Sequence, residues 1–318
     1  MANSTSTSAS ESARPRRSMP GAVLAALRPK QWIKNLFVFG PLLFAGKMME
    51  QFDQDLQAFA AFALFCMASS AVYLLNDLRD VEADRLHPLK RLRPIAAGEL
   101  SVSFAIALAV LLALAAVAGA FALRPTFALF VACYLAMNVV YSLGLKQVVI
   151  IDVMVIGAGF VLRVLGGASA IAVSPSHWLV LCTILLSVFL GFTKRRAELV
   201  LLDDKAVDHR KVLTSYSASF LDQMISVVTA TTLMCYILYT VDPVTVVKMG
   251  SRGLLLTVPF VMYGIFRYLY LVYHLEQGDS PTLALLHDKM MLAGIAIWAL
   301  LCTAVIYWPQ CFKGWFTP

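Results

Sequence analysis

Apolar runs long enough to cross a bilayer recur along nearly the whole of this 318-residue chain, and no other feature restricts its fold so severely. A transmembrane helix needs about 20 predominantly apolar residues. Nine stretches approach or exceed that length: 35–50, 57–76, 102–123, 126–145, 148–170, 177–193, 218–240, 253–272 and 289–308. The first is short and is broken by Gly40 and Pro41. In hydrocarbon every backbone polar group must find its partner inside the protein, so runs of this length resolve into helices. The sequence therefore predicts an all-α, polytopic membrane helical bundle of about nine transmembrane helices. Composition agrees. Hydrophobic residues make up 60% of the chain and charged residues 14%, against about 45–50% and about 25% in soluble domains.

Charge orients the bundle. The 26 Lys and Arg give a net charge of +7. They sit in short segments between apolar runs, so they point to a membrane surface and anionic substrates, not to nucleic acid. With the N-terminus inside, most of them fall on the cytoplasmic face. Lys47, Arg124, Lys248, Arg252 and Lys313 fall outside, and Arg163 lies within a span. The expected location is the plasma (inner) membrane, with the long polar segments 77–101 and 194–217 in the cytoplasm. Residues 1–20, rich in Ser, Thr and Ala, read as a disordered cytoplasmic tail, and 21–318 as a single transmembrane domain. The apolar stretch after the tail is too short for a signal-peptide core. The six cysteines lie mostly within apolar runs and form no C-x-x-C pair, so they read as small buried residues.

The first polar segment reads N-D-L-R-D-V-E-A-D from Asn76 to Asp84. On a helix, Asp77, Asp80 and Asp84 at i, i+3 and i+7 share one face. Three such carboxylates repel one another unless a cation lies between them. Magnesium takes one or two carboxylates together with waters and substrate phosphates. Asn76 adds a neutral ligand. The plain alternative is a solvated helix end. The second segment opens K-R-R-A-E, Lys194 to Glu198, and continues D-D-K-A-V-D-H-R-K from Asp203 to Lys211. Its Lys194, Arg196, Arg210 and Lys211 are candidate phosphate contacts, with arginine suited to bidentate ones, and Glu198 and His209 are further substrate-site candidates in the same segment. A positive-inside stop signal accounts for part of this run but not for the interleaved acids.

Arg163 stands in mid-span. Asp152 lies on the same helix face but about 16 Å away along the axis, too far to pair directly. An ionisable residue inside a membrane is by default a functional candidate. Tyr141 and Lys146 close a span on the cytoplasmic side, and Lys90 and Arg91 follow the acidic motif. Lys30, Trp32 and Lys34 have the look of an interfacial anchor within reach of an anionic headgroup. Gly157, Gly159, Gly166 and Gly167 read as helix-packing positions.

At N-D-L-R-D-V-E-A-D the chain resembles the UbiA superfamily of intramembrane prenyltransferases. The resemblance implies a nine-helix bundle with a Mg²⁺–diphosphate site, Asp77, Asp80 and Asp84 holding the metal, open to the cytoplasm. Four more segments sharpen it: R-P-K-Q-W-I-K-N (28–35), R-L-R-P-I-A-A-G (91–98), 152–167, and L-G-F-T-K-R-R-A-E-L (190–199). They are similar to the actinobacterial branch that moves a 5-phosphoribosyl group from phosphoribosyl diphosphate to decaprenyl phosphate, for cell-wall arabinan. Typical members carry a second Asp-rich motif where this chain has K-R-R-A-E. Cations there suit a donor with an extra phosphate and an acceptor that brings another. The resemblance thus implies donor contacts from Asn76, Lys90, Arg91, Lys194, Arg196 and Arg210, and lipid-phosphate contacts from Arg163 or Lys34. Exposed apolar faces also admit a homo-oligomer, a trimer included. The alternatives are an aromatic prenyltransferase of the same fold and a transporter. A transporter would spread its charges through both leaflets.

Overall fold

The structure, a computed structural model, describes residues 17–46, 52–87, 90–202, 211–274 and 288–312. Eight helical segments in it are long and apolar enough to cross a membrane: α3 (Phe52–Arg79), α5 (Val102–Leu123), α6 (Pro125–Leu143), α7 (Ile151–Ala170), α8 (His177–Leu202), α9 (Ala218–Val241), α11 (Val258–His274, with the 3-10 turn before it) and α12 (Lys289–Tyr307). Short helices α1 (Met19–Leu27), α2 (Gly40–Ala45), α4 (Val81–Leu86) and α10 (Pro243–Met249) complete the described elements, with further 3-10 turns. No strand occurs among the described residues. The protein is an integral membrane bundle.

The predicted first span is not a long α-helix. Residues Pro29–Phe39 wind as a 3-10 helix that continues into α2. The segment nevertheless runs the length of the bundle. At one end Arg28 pairs with Asp77, in the last turn of α3. At the other, the Phe44 carbonyl accepts a hydrogen bond of 2.9 Å from Lys248 Nζ, in α10 beyond the far end of α9. Eleven 3-10 residues and six α-helical ones cover about 31 Å, close to the ~30 Å of hydrocarbon. Such irregular backbone is tolerated at membrane depth only where it is buried in protein or lines a cavity, and this segment does both. Asn35 is wholly buried, and its Nδ2 donates to Ser69 Oγ at 3.2 Å. Trp32 Nε1 donates to Ser70 Oγ at 3.0 Å, so this residue, expected at the interface, is tied to α3 inside the bundle. Gly167 makes the fit possible, because a Cβ there would stand 2.1 Å from the Val38 carbonyl oxygen.

Helices α3 and α7, which carry Asp77 and Arg163, are the most enclosed, with 56% of the apolar window of each buried. Only 17% is buried in α5, whose Leu111, Leu114 and Phe121 face outward toward lipid. The polar loops gather at one end. Lys146 meets Asp80 there, and Arg79 Nη2 donates to the Leu143 carbonyl. At that same end Ser101 and Ser217 cap the first turns of α5 and α9 by accepting backbone N–H groups.

Candidate active site

The acidic motif straddles a break in the helix. Asp80 leaves helical geometry at φ −95°, ψ 10°, between α3 and α4. The three carboxylates therefore do not form the single face expected from their spacing. Asp77 and Asp84, both buried, converge on one guanidinium nitrogen. Arg93 Nη1 lies 3.1 Å from Asp77 Oδ1 and 2.5 Å from Asp84 Oδ2. Arg28 also pairs with Asp77. Asp80 turns to Lys146 instead, at 2.9 Å. Among the described residues no group of three or more His, Cys, Asp and Glu gathers as a metal cluster. The seat shared by Asp77 and Asp84 is already that of a cation, with Arg93 standing in it. Two carboxylates there match the donor set that magnesium takes alongside substrate phosphates.

The second motif stays helical, because α8 runs on through K-R-R-A-E to Leu202. Consecutive residues on a helix point about 100° apart, and each cation goes a different way. Lys194 lines the central cavity and lies 3.6 Å from Glu198. Arg195, 1% exposed, donates from Nε to Asp152 Oδ2 at 2.6 Å and also pairs with Glu198. Arg196 faces away, 3.0 Å from Asp222 and stacked on the Tyr273 ring at 4.0 Å. Arg196 and Glu198, expected at the substrate, are thus engaged in ion pairs and do not line the cavity. Asp203, Asp204, Asp208, His209 and Arg210 lie outside the described residues.

The cavity measures about 1300 Å³ and reaches from Asn76 and Lys194 at the polar end to Asp242 and Lys248 at the other. Its described charges are Arg28, Lys34, Arg163, Lys194, Arg195 and Lys248, against the single carboxylate of Asp242. Most of the remaining wall is apolar, including Phe37, Ile156, Phe160, Leu186 and Trp298. Arg163 is 5% exposed, and its hydrogen-bond partners among the described residues are neutral. It donates to Asn35 Oδ1 and the Gly159 carbonyl, each at 2.7 Å, and to Tyr134 OH at 2.9 Å. The charges acting on Lys34 are Lys194, Arg163 and Arg28, all positive. Tyr141 and Asn76 are among its polar lining residues, with Asn76 Oδ1 accepting from Ser142 Oγ. Lys90, Arg91 and Lys146 stand outside the cavity wall, on the loops around the acidic motif. Lys90 stands near Arg93, Asp84, Glu198 and Asp80. Burial, with Arg93 beside it, pushes its ammonium below the ordinary lysine value.

A family model described as "UbiA prenyltransferase family" matches residues 36–288. The chain belongs to the UbiA prenyltransferase family. Curated relatives share more than that domain. A decaprenyl-phosphate phosphoribosyltransferase of Mycobacterium tuberculosis is 34% identical over 92% of this chain and 97% of its own length. One of the same name from Mycolicibacterium smegmatis is 38% identical over 72% and 73% respectively. Among solved structures, a UbiA homologue from Archaeoglobus fulgidus bound to GPP and Mg²⁺ superposes with a TM-score of 0.67. It shares 18% identity and covers 90% of this chain and 99% of its own, so it shows the fold alone.

In this UbiA-family chain, sequence reasoning passed over Arg28, Arg93 and Arg195. All three lie inside the motifs that carried the resemblance, so the signal was present. What was missing was direction. Arg28 adopts a left-handed backbone, φ 54°, at the junction of α1 and the 3-10 segment, which turns it onto Asp77.

Proposed function

We propose that this protein transfers the 5-phosphoribosyl group of phosphoribosyl diphosphate to decaprenyl phosphate, or a close polyprenyl phosphate, and releases diphosphate. The reaction takes place at the cytoplasmic end of the bundle in the plasma membrane. The observation that carries the reading is the cavity's charge: among its described lining residues Arg28, Lys34, Arg163, Lys194 and Lys248 stand against the one carboxylate of Asp242, with Arg195 already paired to Asp152, in a wall that is otherwise mainly apolar. Two phosphorylated substrates, one with a long hydrocarbon tail, suit such a cavity. The name shared by the curated relatives supports the same activity.

Asp77 and Asp84 would hold Mg²⁺ on the donor's diphosphate, with Asp80 beside them. When bound, the ion supplies charge neutralisation to the leaving group. Lys194 and Arg28 hold the donor's phosphates from the polar end. Lys34 and Arg163 receive the lipid phosphate deeper in the cavity, and the prenyl chain follows the apolar wall past Phe37 and Phe160. An oxygen of the lipid phosphate attacks the anomeric carbon. A new C–O bond forms as the bond to diphosphate breaks. That phosphate is already ionised at neutral pH, so no general base is required. The rate gain comes from orientation and from fixed positive charge where negative charge develops.

The test is incubation of purified protein with labelled phosphoribosyl diphosphate, decaprenyl phosphate and Mg²⁺, followed by lipid extraction. Label entering the lipid fraction, and lost on chelation, is the expected result. Consumption of a prenyl diphosphate with an aromatic acceptor, and no labelled lipid, would overturn the reading.

A further inference from the structure

The turn between α6 and α7 holds a β-branched residue in the left-handed region. Ile150 has φ 69°, ψ −46°. The Ile151 N–H closes back on the Val149 carbonyl at 2.8 Å, making a γ-turn of the rare, strained hand. Strain of this kind persists only where the surroundings over-determine it, and it clusters at functional sites. Here the α7 backbone accepts the turn, with Val153 and Met154 N–H donating to the Ile150 carbonyl, and one side chain fastens it from outside. Tyr216 OH accepts from the Ile150 N–H at 2.6 Å and donates to Asp152 Oδ1 at 2.8 Å. The other oxygen of Asp152 takes Arg195 Nε. Arg195 then pairs with Glu198, which lies within ion-pair distance of Lys194 on the cavity wall. On the other side of the turn, four residues before Ile150, Lys146 pairs with Asp80 of the acidic motif.

We infer that Tyr216 is a positioning residue for the donor half of the site. Its hydroxyl keeps the Ile150 turn closed and so sets Lys146 against Asp80 and the Asp152–Arg195–Glu198 chain behind Lys194. Tyr216 is 6% exposed, is not among the described residues lining the cavity, and has its hydroxyl engaged by Ile150 and Asp152, so its effect passes through those partners. The inference rests on the reading that the phosphorylated donor binds at this end.

The test uses full-length protein in detergent and three readouts. The first needs no substrate. In Tyr216→Phe, amide hydrogen exchange of the 146–152 segment is expected to speed up by about tenfold, the scale of losing one partner of a buried hydrogen bond. Exchange in α5, remote from the turn, stays unchanged. The second is kinetic. The donor KM rises by about tenfold while the acceptor KM stays put. The third is rescue. Glycine adopts positive φ without strain, so Tyr216→Phe combined with Ile150→Gly recovers a large part of the lost donor affinity. Unchanged exchange at 146–152 overturns the inference whatever the substrate. Equal rises in both KM values, or a double variant no better than Tyr216→Phe, overturn it as well. A wild-type protein that transfers no phosphoribosyl group sinks the functional reading instead and leaves the exchange result standing by itself.

Discussion

Two buried arginines on adjacent helices have opposite surroundings. Arg195 on α8 is 1% exposed and bonded to a carboxylate that is itself 0% exposed. Arg163 on α7 is 5% exposed and bonded, among the described residues, to an amide oxygen, a backbone carbonyl and a phenol. An arginine at the centre of a span, as Arg163 is, costs roughly 2.5–3.5 kcal/mol on insertion scales, and Arg195 near the polar end of α8 is buried away from water as well, so each needs a physical reason to persist. Arg195 has its reason inside the protein, where its charge is neutralised. Among the described residues no carboxylate pairs with Arg163, and neighbouring charges along the cavity, Lys34 and Lys194, are also positive. The difference fits two uses of buried charge: Arg195 fastens α8 to α7, and Arg163, on the proposed function, receives an anion.

The largest expected effect tests the fastening half. Arg195→Leu leaves Asp152 buried without its cation, and removing one member of a buried pair costs about 3–5 kcal/mol. A thermal melt in detergent is expected to fall sharply. The double variant Arg195→Leu with Asp152→Leu is expected to recover most of the loss, since replacing both partners by apolar groups is often neutral. If Arg163→Leu destabilises the fold as much as Arg195→Leu, the contrast fails.

Next comes the anion-receiving half. Arg163→Leu is expected to stay folded and to lose activity by about a hundredfold, comparable to removing one preorganised donor from a charged transition state. Arg163→Lys recovers only part, because an ammonium lacks the planar fork. Melting temperature and specific activity measured on the same preparation decide it. A stable and fully active Leu variant would take Arg163 out of the site.

Some of this was legible in the residues and some was not. The apolar runs placed every long helix, and Asn76 to Asp84 and Lys194 to Glu198 marked the polar end where the loops meet. The first pass was mistaken in kind. Pro29, Gln31, Lys34 and Asn35 leave too few apolar positions for a lipid-facing helix, and the segment is instead a 3-10 run that lines the cavity. The i, i+3, i+7 argument for Asp77, Asp80 and Asp84 assumed one continuous helix. It failed where α3 ends at Arg79, and no residue there announces the break. Within K-R-R, the sequence cannot say which cation faces inward, since that depends on how α8 is rotated against α7 and α9. Asp152 was matched to its own helix face, whereas its partner lies across the interface on α8.

Lys194 brings a smaller expected effect. It shares the cavity wall with Arg163 but sits nearer the polar end and has Glu198 within 3.6 Å. Lys194→Ala is expected to weaken phosphoribosyl diphosphate binding by about 1.5–3 kcal/mol, the scale of one charge-assisted contact. Polyprenyl phosphate binding is expected to change little. Titration of each substrate against the variant separates the two affinities. A larger loss for the lipid would exchange the roles assigned to Lys194 and Arg163.

The smallest effect belongs to Arg196, and it tells whether a carboxylate partner or burial makes Arg195 matter. Arg196 has both a carboxylate, Asp222 at 3.0 Å, and an aromatic face, Tyr273 at 4.0 Å. Its side chain is 18% exposed and that of Asp222 is 41% exposed. Water therefore reaches the pair, and exposed pairs contribute about 0.2–1 kcal/mol, with a stacked cation adding about 0.5–1 kcal/mol. Removing Arg196 leaves Asp222 open to hydration, so no buried charge is stranded. Arg196→Ala is expected to shift the melt by a small fraction of the Arg195→Leu effect and to leave both substrate affinities unchanged, because the residue does not line the cavity. A loss of donor affinity in Arg196→Ala would mean that α8 turns this side chain inward when substrate binds. A melt as low as that of Arg195→Leu would mean that pairing alone, without burial, holds α8 to its neighbours.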